Sequence, residues 1–103
     1  GAALAVKRAY PGIGKHITTD RPVTWYEISP GKWIGWFQVK HHWRQDASLD
    51  LIRRSARYLG AIAEKRPEQR FHLNCPGTGN GRLDWADVEP VLQCMPDNVL
   101  VYK

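Results

Sequence analysis

From Trp33 to Tyr102 the hydrophobic pattern alternates between strand-like runs and helical faces, and this order constrains the fold more than any other feature of the chain. Trp33-Ile34-Gly35-Trp36-Phe37-Gln38-Val39 is rich in aromatic and β-branched residues and reads as a strand. From Ser48 onward, Leu49, Ile52, Ala56, Leu59 and Ala63 recur at helical spacing, so they line one buried face while Arg53, Arg54 and Arg57 turn elsewhere. That helix ends near Arg66, before Pro67. Phe71-His72-Leu73-Asn74 is a short strand, and Trp85, Val88, Leu92 and Met95 mark a second helical face. Asp84 or Asp87 is suited to cap that helix, and Pro90 is acceptable only near its start. Val99-Leu100-Val101-Tyr102 reads as a buried strand. Strands alternating with helices in this way build an α/β sheet with right-handed crossovers, whose ligands bind at the carboxyl ends of the strands. Upstream, Ala2 to Ala9 reads as a short helix stopped by Pro11-Gly12. Val23 to Ile28 is strand-like, and Pro30-Gly31 turns it into a hairpin with the run from Trp33.

The 103 residues suit a single domain spanning residues 1–103. With 43% hydrophobic and 24% charged residues, the composition is that of a folded soluble chain, and no apolar run approaches the roughly 18–20 residues that span a bilayer. Gly1 to Val6 is too short for the core of a signal peptide, so a cytoplasmic location and no membrane partner are expected. Cys75 and Cys94 lack any second pair at metal-ligand spacing, and adjacent His41 and His42 would point to opposite faces of a strand. Neither a metal nor a cofactor is expected. Fifteen Lys and Arg against ten Asp and Glu give a net charge of +5, which favours an anionic partner. The positive charge is concentrated before Arg70, together with Trp25, Trp33, Trp36 and Trp43. Tryptophans beside cations suit stacking on nucleobases, and equally they fill a core.

Gly77-Thr78-Gly79-Asn80-Gly81 lies between a strand and a helix. Without Cβ atoms in the way, its backbone N–H groups are able to converge on a phosphate or pyrophosphate. The run lacks the Lys-Ser/Thr ending of a phosphate-binding P-loop, and a tight structural turn is the competing reading. Lys40-His41-His42-Trp43-Arg44 follows the carboxyl end of the second hairpin strand, where a parallel neighbour would bring it beside the glycine run. A lysine there is either a solvated cation or, where burial neutralises it, a nucleophile.

The run Gly77-x-Gly79-Asn80-Gly81-x-Leu83-Asp84-Trp85, after a hydrophobic strand and before a helix, resembles the phosphate loop of macrodomains. It is similar to the branch that holds the terminal ADP-ribose glycohydrolases and the antitoxins that remove ADP-ribose from DNA. Lys40-x-His42-Trp43-Arg44 resembles the lysine motif of that branch, and Gly1 to Ala5 with Tyr10-Pro11 resembles its glycine-alanine loop and following helix. The resemblance covers essentially the whole chain in the family's order. It implies a macrodomain-like α/β three-layer sandwich with a mixed sheet, lacking the usual first strands.

The same resemblance implies roles for individual residues. Gly77, Thr78, Gly79, Asn80 and Gly81 would wrap the pyrophosphate and distal ribose, with Gly1 and Ala2 closing over that ribose from the opposite side. Lys40 would be the catalytic nucleophile, attacking the anomeric carbon of ADP-ribose joined to a carboxylate or a base, with His42, Trp43 and Arg44 in support. Where some relatives place a catalytic aspartate in the loop this chain has Gly81, as the DNA-directed members do. Val39 replaces a usual threonine, Thr78 a usual cysteine, and Trp36 stands where asparagine is common. The family's first strands, with the aspartate that reads adenine, would precede Gly1. A natural short version like the small phage-encoded relatives, a late start within a longer gene, or completion by another subunit or a homodimer would each account for that. The expected partners are ADP-ribose and ADP-ribosylated DNA or protein. A non-catalytic ADP-ribose reader and a basic nucleic-acid-binding module using Arg53, Arg54 and Arg57 are the alternatives.

Overall fold

The computed structural model describes residues 8–10, 12, 21–30, 32–40, 45–77 and 81–102, with Ile28 described for its backbone alone. Strand β1 (Val23–Ser29) pairs antiparallel with β2 (Lys32–Phe37), and helix α1 (Leu49–Lys65) follows. Strand β3 (Phe71–Asn74), helix α2 (Trp85–Leu92) and strand β4 (Val99–Tyr102) complete the order, with β3 and β4 parallel. Among the described residues the strands therefore form two two-stranded ladders, one antiparallel and one parallel. Arg8 and Ala9 are helical; the rest of the segment expected to be helical from Ala2 lies outside the described residues.

Among the described residues the hairpin and the first long helix form from local signals. In the hairpin, Trp25 lies opposite Gly35 and Val23 opposite Phe37, so these residues share one face, and a register shift between Glu27 and Ser29 bends the turn end. Helix α1 starts where the Ser48 hydroxyl accepts from the Leu51 N–H at 3.4 Å, with Asp50 in the first turn and Lys65 in the last, both favourable to the helix dipole. Its buried stripe is Leu51, Ile52, Ser55, Ala56, Leu59, Gly60 and Ala63. The polar member is satisfied, because the Ser55 hydroxyl donates to the Gln38 carbonyl at 2.8 Å. At the far end the Asn98 amide nitrogen lies 3.0, 3.1 and 3.0 Å from the carbonyls of Ala63, Arg66 and Gln69. One side chain beside β4 thus holds the end of α1 and the loop into β3.

Helix α2 is capped by Asp84 through its backbone: the Asp84 carbonyl accepts from Asp87 and Val88, and its side chain makes no capping bond. Pro90 stands at the sixth position of the helix, further in than the sequence reading allows. Its missing N–H deprives the Ala86 carbonyl of a helical bond, and because Ala86 and Pro90 are both exposed, water is free to replace it. Both helices cover one face of the β3–β4 ladder: Ile52, Ala56, Val88 and Leu92 pack with Leu73 and Val101, and Leu59 and Ala63 pack with Phe71 and Val99. The other face carries His72, Asn74, Leu100 and Tyr102, all exposed.

Candidate functional site

Three segments meet at the carboxyl end of β2 and β3, and two consecutive backbone amides hold them together. The Ser48 N–H donates to the Val39 carbonyl at 2.8 Å, and the Ala47 N–H donates to the Gly81 carbonyl at 3.0 Å. Hydrogen-bonded neighbouring backbones lie about 4.8 Å apart, so Val39 and Gly81 flank residues 47–48 at roughly 10 Å from one another. Lys40, the next residue, is half-buried at the edge of this junction. Phe37 and Val39 pack into the core beneath it. The proximity of Lys40 and the glycine run that the sequence leaves to topology is thus produced by the start of α1.

The described ends of the glycine run are close-packed. Gly77 has φ +78°, a left-handed conformation that glycine tolerates, and a Cβ there would lie 2.8 Å from Ile52 Cδ1. At Gly81 a Cβ would lie 2.5 Å from the Gly77 carbonyl oxygen and 2.7 Å from Ala47 Cβ. The Leu83 N–H closes the loop onto the Gly77 carbonyl at 2.9 Å. Arg82 completes the turn at φ +63°, unusual for a residue with a Cβ and costly by roughly 1–2 kcal/mol. Its exposed guanidinium lies 3.8 Å from the Asp46 carboxylate, a weak surface pair across the mouth of the loop. Gly77 and Gly81 therefore act as the pinched neck of the loop, which accounts for them by packing alone.

Of the residues singled out in the sequence, the structure brings Lys40, Gly77 and Gly81 to one end of the fold. Gly1, Ala2, His42, Trp43, Arg44, Thr78, Gly79 and Asn80 lie outside the described residues. The residues that the sequence did not single out are Ala47 and Ser48. Ser48 announces itself as a helix cap, but nothing in the sequence marks Ala47, whose smallness matters because Gly77 and Gly81 approach it. Among the described residues, no three His, Cys, Asp or Glu side chains gather to hold a metal ion, and no helix is long and apolar enough to cross a membrane.

No family model and no curated protein matches the chain. Solved structures do. It is similar to the macrodomain of Thermus aquaticus DarG, with a TM-score of 0.78 and 23% identity over 100% of this chain and 79% of that one. The macrodomain of Mycobacterium tuberculosis DarG gives a TM-score of 0.72 and 26% identity over 99% of this chain and 78% of that one. Thermosipho africanus DarTG in complex with ADP-ribose gives a TM-score of 0.78 and 20% identity, covering 99% of this chain and 33% of that longer chain.

Proposed function

This chain has the macrodomain fold in the form seen in DarG, and from that premise we propose that it binds ADP-ribose between the glycine loop and Lys40 and hydrolyses an ADP-ribosyl link. The observation that carries the reading is the junction at residues 47–48, which joins the Lys40 segment to the neck of the glycine loop. The likeness to a structure holding ADP-ribose supports the choice of ligand. In this reading Thr78, Gly79 and Asn80 would receive the pyrophosphate and Gly1 and Ala2 the distal ribose, all of them outside the described residues.

The chemistry follows from an amine next to an anomeric carbon. The neutral Lys40 amine attacks that carbon, and the bond to the modified base or carboxylate breaks, its electron pair leaving with the departing group. The departing group takes up the proton that the amine gives up. Water then adds to the anomeric carbon, the carbon–nitrogen bond breaks, and ADP-ribose and free Lys40 result. His42, Trp43 and Arg44 would shape the approach of the modified group, DNA or protein. A completing subunit or a second copy belongs to the same reading, supported by the uncovered face of the β3–β4 ladder.

The test has two arms. Calorimetric titration with ADP-ribose, AMP and ribose phosphate is expected to show saturable binding of ADP-ribose and to report which half of the ligand is held. Incubation with ADP-ribosylated DNA and ADP-ribosylated protein is expected to release free ADP-ribose. Binding without release would identify a reader, and no binding would overturn the proposal.

A further inference from the structure

The buried stripe of α1 is apolar except at Ser55, which is 1% exposed among Leu51, Ile52, Ala56 and Leu59. Alanine fills comparable places in the same stripe at Ala56 and Ala63, so packing alone does not call for a hydroxyl, and a hydroxyl buried without a partner would be costly. A serine inside a helix commonly turns back to the carbonyl four residues before it. Ser55 reaches across the fold, donating at 2.8 Å to the carbonyl of Gln38, 17 residues upstream.

That carbonyl stands one residue beyond the end of β2 and two residues before Lys40. The backbone here is gripped from both sides. The Gln38 N–H donates to the Pro22 carbonyl at 2.9 Å, at the entrance to β1, while the Gln38 carbonyl accepts from Ser55 and the Val39 carbonyl from the Ser48 N–H at 2.8 Å. Ser48 and Ser55 are seven residues apart, close to two whole helical turns, so they stand on one side of α1 about 10 Å apart along its axis. Two successive carbonyls held at two points cannot pivot about either bond. With the Ser48 bond alone, the segment would hinge directly before Lys40.

We propose that Ser55 is a positioning residue for hydrolysis of the ADP-ribosyl link, its hydroxyl fixing the direction in which the backbone delivers Lys40 to the anomeric carbon. The role rests on the reading of Lys40 as the nucleophile. Ser55 lies beneath the backbone rather than at the site, so it acts through Gln38 and Lys40. Attack on carbon is sensitive to such placement, a displacement of about 1 Å being able to lower a rate about a hundredfold. Binding of the pyrophosphate, assigned to the glycine loop, depends on the separate bond from Ala47 to Gly81 and is expected to be indifferent to Ser55.

The test compares release of ADP-ribose from modified DNA or protein by the parent, by Ser55→Ala, and by Asn98→Ala, which loses hydrogen bonds at the far end of α1. Ser55→Ala is expected to lower kcat about tenfold to a hundredfold, with KM and the calorimetric affinity for ADP-ribose within about threefold of the parent. Asn98→Ala is expected to be destabilised in urea and to keep the parental kcat. Reductive dimethylation with isotopically labelled formaldehyde gives a readout apart from turnover. The methyl resonance of Lys40, assigned by its loss in Lys40→Ala, should shift in Ser55→Ala and stay in place in Asn98→Ala. Ser55→Cys, similar in volume with a weaker donor, should fall between the parent and Ser55→Ala, and it carries the test if the alanine variant does not fold. A parental kcat in either folded Ser55 variant, an equal loss in Asn98→Ala, or a loss carried wholly by KM would overturn the positioning role while leaving the proposed function intact. A parent that releases no ADP-ribose would overturn the hydrolytic reading, and this role with it.

Discussion

At Gly77 and Gly81 the requirement is for the absence of a side chain, so substitution there acts on the packing of the neck first. Gly81→Ala would drive a methyl into the Gly77 carbonyl, so the neck must open. The expected cost is about 1–3 kcal/mol, read as a lower urea midpoint, with ligand binding impaired as a consequence. Gly79→Val is expected to leave the stability measured in urea within about 0.5 kcal/mol of the parent and to abolish ADP-ribose binding in calorimetry. Undiminished affinity in that variant would leave the loop a structural turn. Lys40 separates chemistry from binding. Lys40→Ala should keep ADP-ribose affinity within about tenfold, roughly 1.4 kcal/mol, and release no ADP-ribose from modified DNA or protein. Lys40→Arg should fail equally, since a guanidinium keeps the charge but does not attack carbon. Release at the parent rate by Lys40→Arg would remove the nucleophile from the mechanism. The glycine run and Lys40 were legible because their residue types are conspicuous. Ala47 was not, since its importance comes from a neighbour more than thirty residues away rather than from its own chemistry.

Helix α1 is where the sequence was most informative. The expected limits at Ser48 and Arg66 are its N-cap and C-cap, because an uninterrupted apolar stripe and a capping hydroxyl are both local signals. Strand β2 was expected to reach Val39 and ends at Phe37, where the Gln38 and Val39 carbonyls turn to α1 instead of a partner strand. Met95 was read as part of the second helical face; it lies beyond the end of α2 and still packs against the core. Spacing reports which side faces inward, and it does not report where hydrogen bonding stops. Asn98 was invisible for a similar reason, its three carbonyl partners being 29 to 35 residues away. Asn98→Ala is expected to cost about 1–3 kcal/mol, because it strands carbonyls at the end of α1. Asn98→Asp should cost more, since its carboxylate would face those carbonyls with no proton to offer. Urea melts of the two variants check the order.

For the molecule as a whole, the consequential feature is the uneven covering of the β3–β4 ladder. One face is packed by both helices, and the other presents Leu100 and Tyr102, 36% and 49% exposed, beside His72 and Asn74. Parallel strands ordinarily have both faces covered, so a companion surface is expected. Light scattering at rising concentration should show self-association, and Leu100→Lys should reduce it. A monomer at high concentration would show that the chain covers itself. The alternation of strand and helix made the α/β class readable from Trp33 onward. The separation of the strands into two ladders was not readable, because pairing depends on which edges meet and the hydrophobic pattern reports only which faces are buried.

The junction at residues 47–48 has a consequence for how solvent samples the protein. Neither residue belongs to a regular element, yet their amide protons point to opposite neighbours, Ala47 to Gly81 and Ser48 to Val39. Either proton reaches water only if the Lys40 segment or the neck of the glycine loop detaches. In deuterium oxide these two amides should therefore exchange on the timescale of the α1 interior rather than that of a loop, and together rather than separately. Because the two amides flank a single Cα, that of Ala47, slackening at the glycine neck becomes measurable at Ser48. Their exchange rates are thus a ligand-free readout of whether the two halves of the site are assembled.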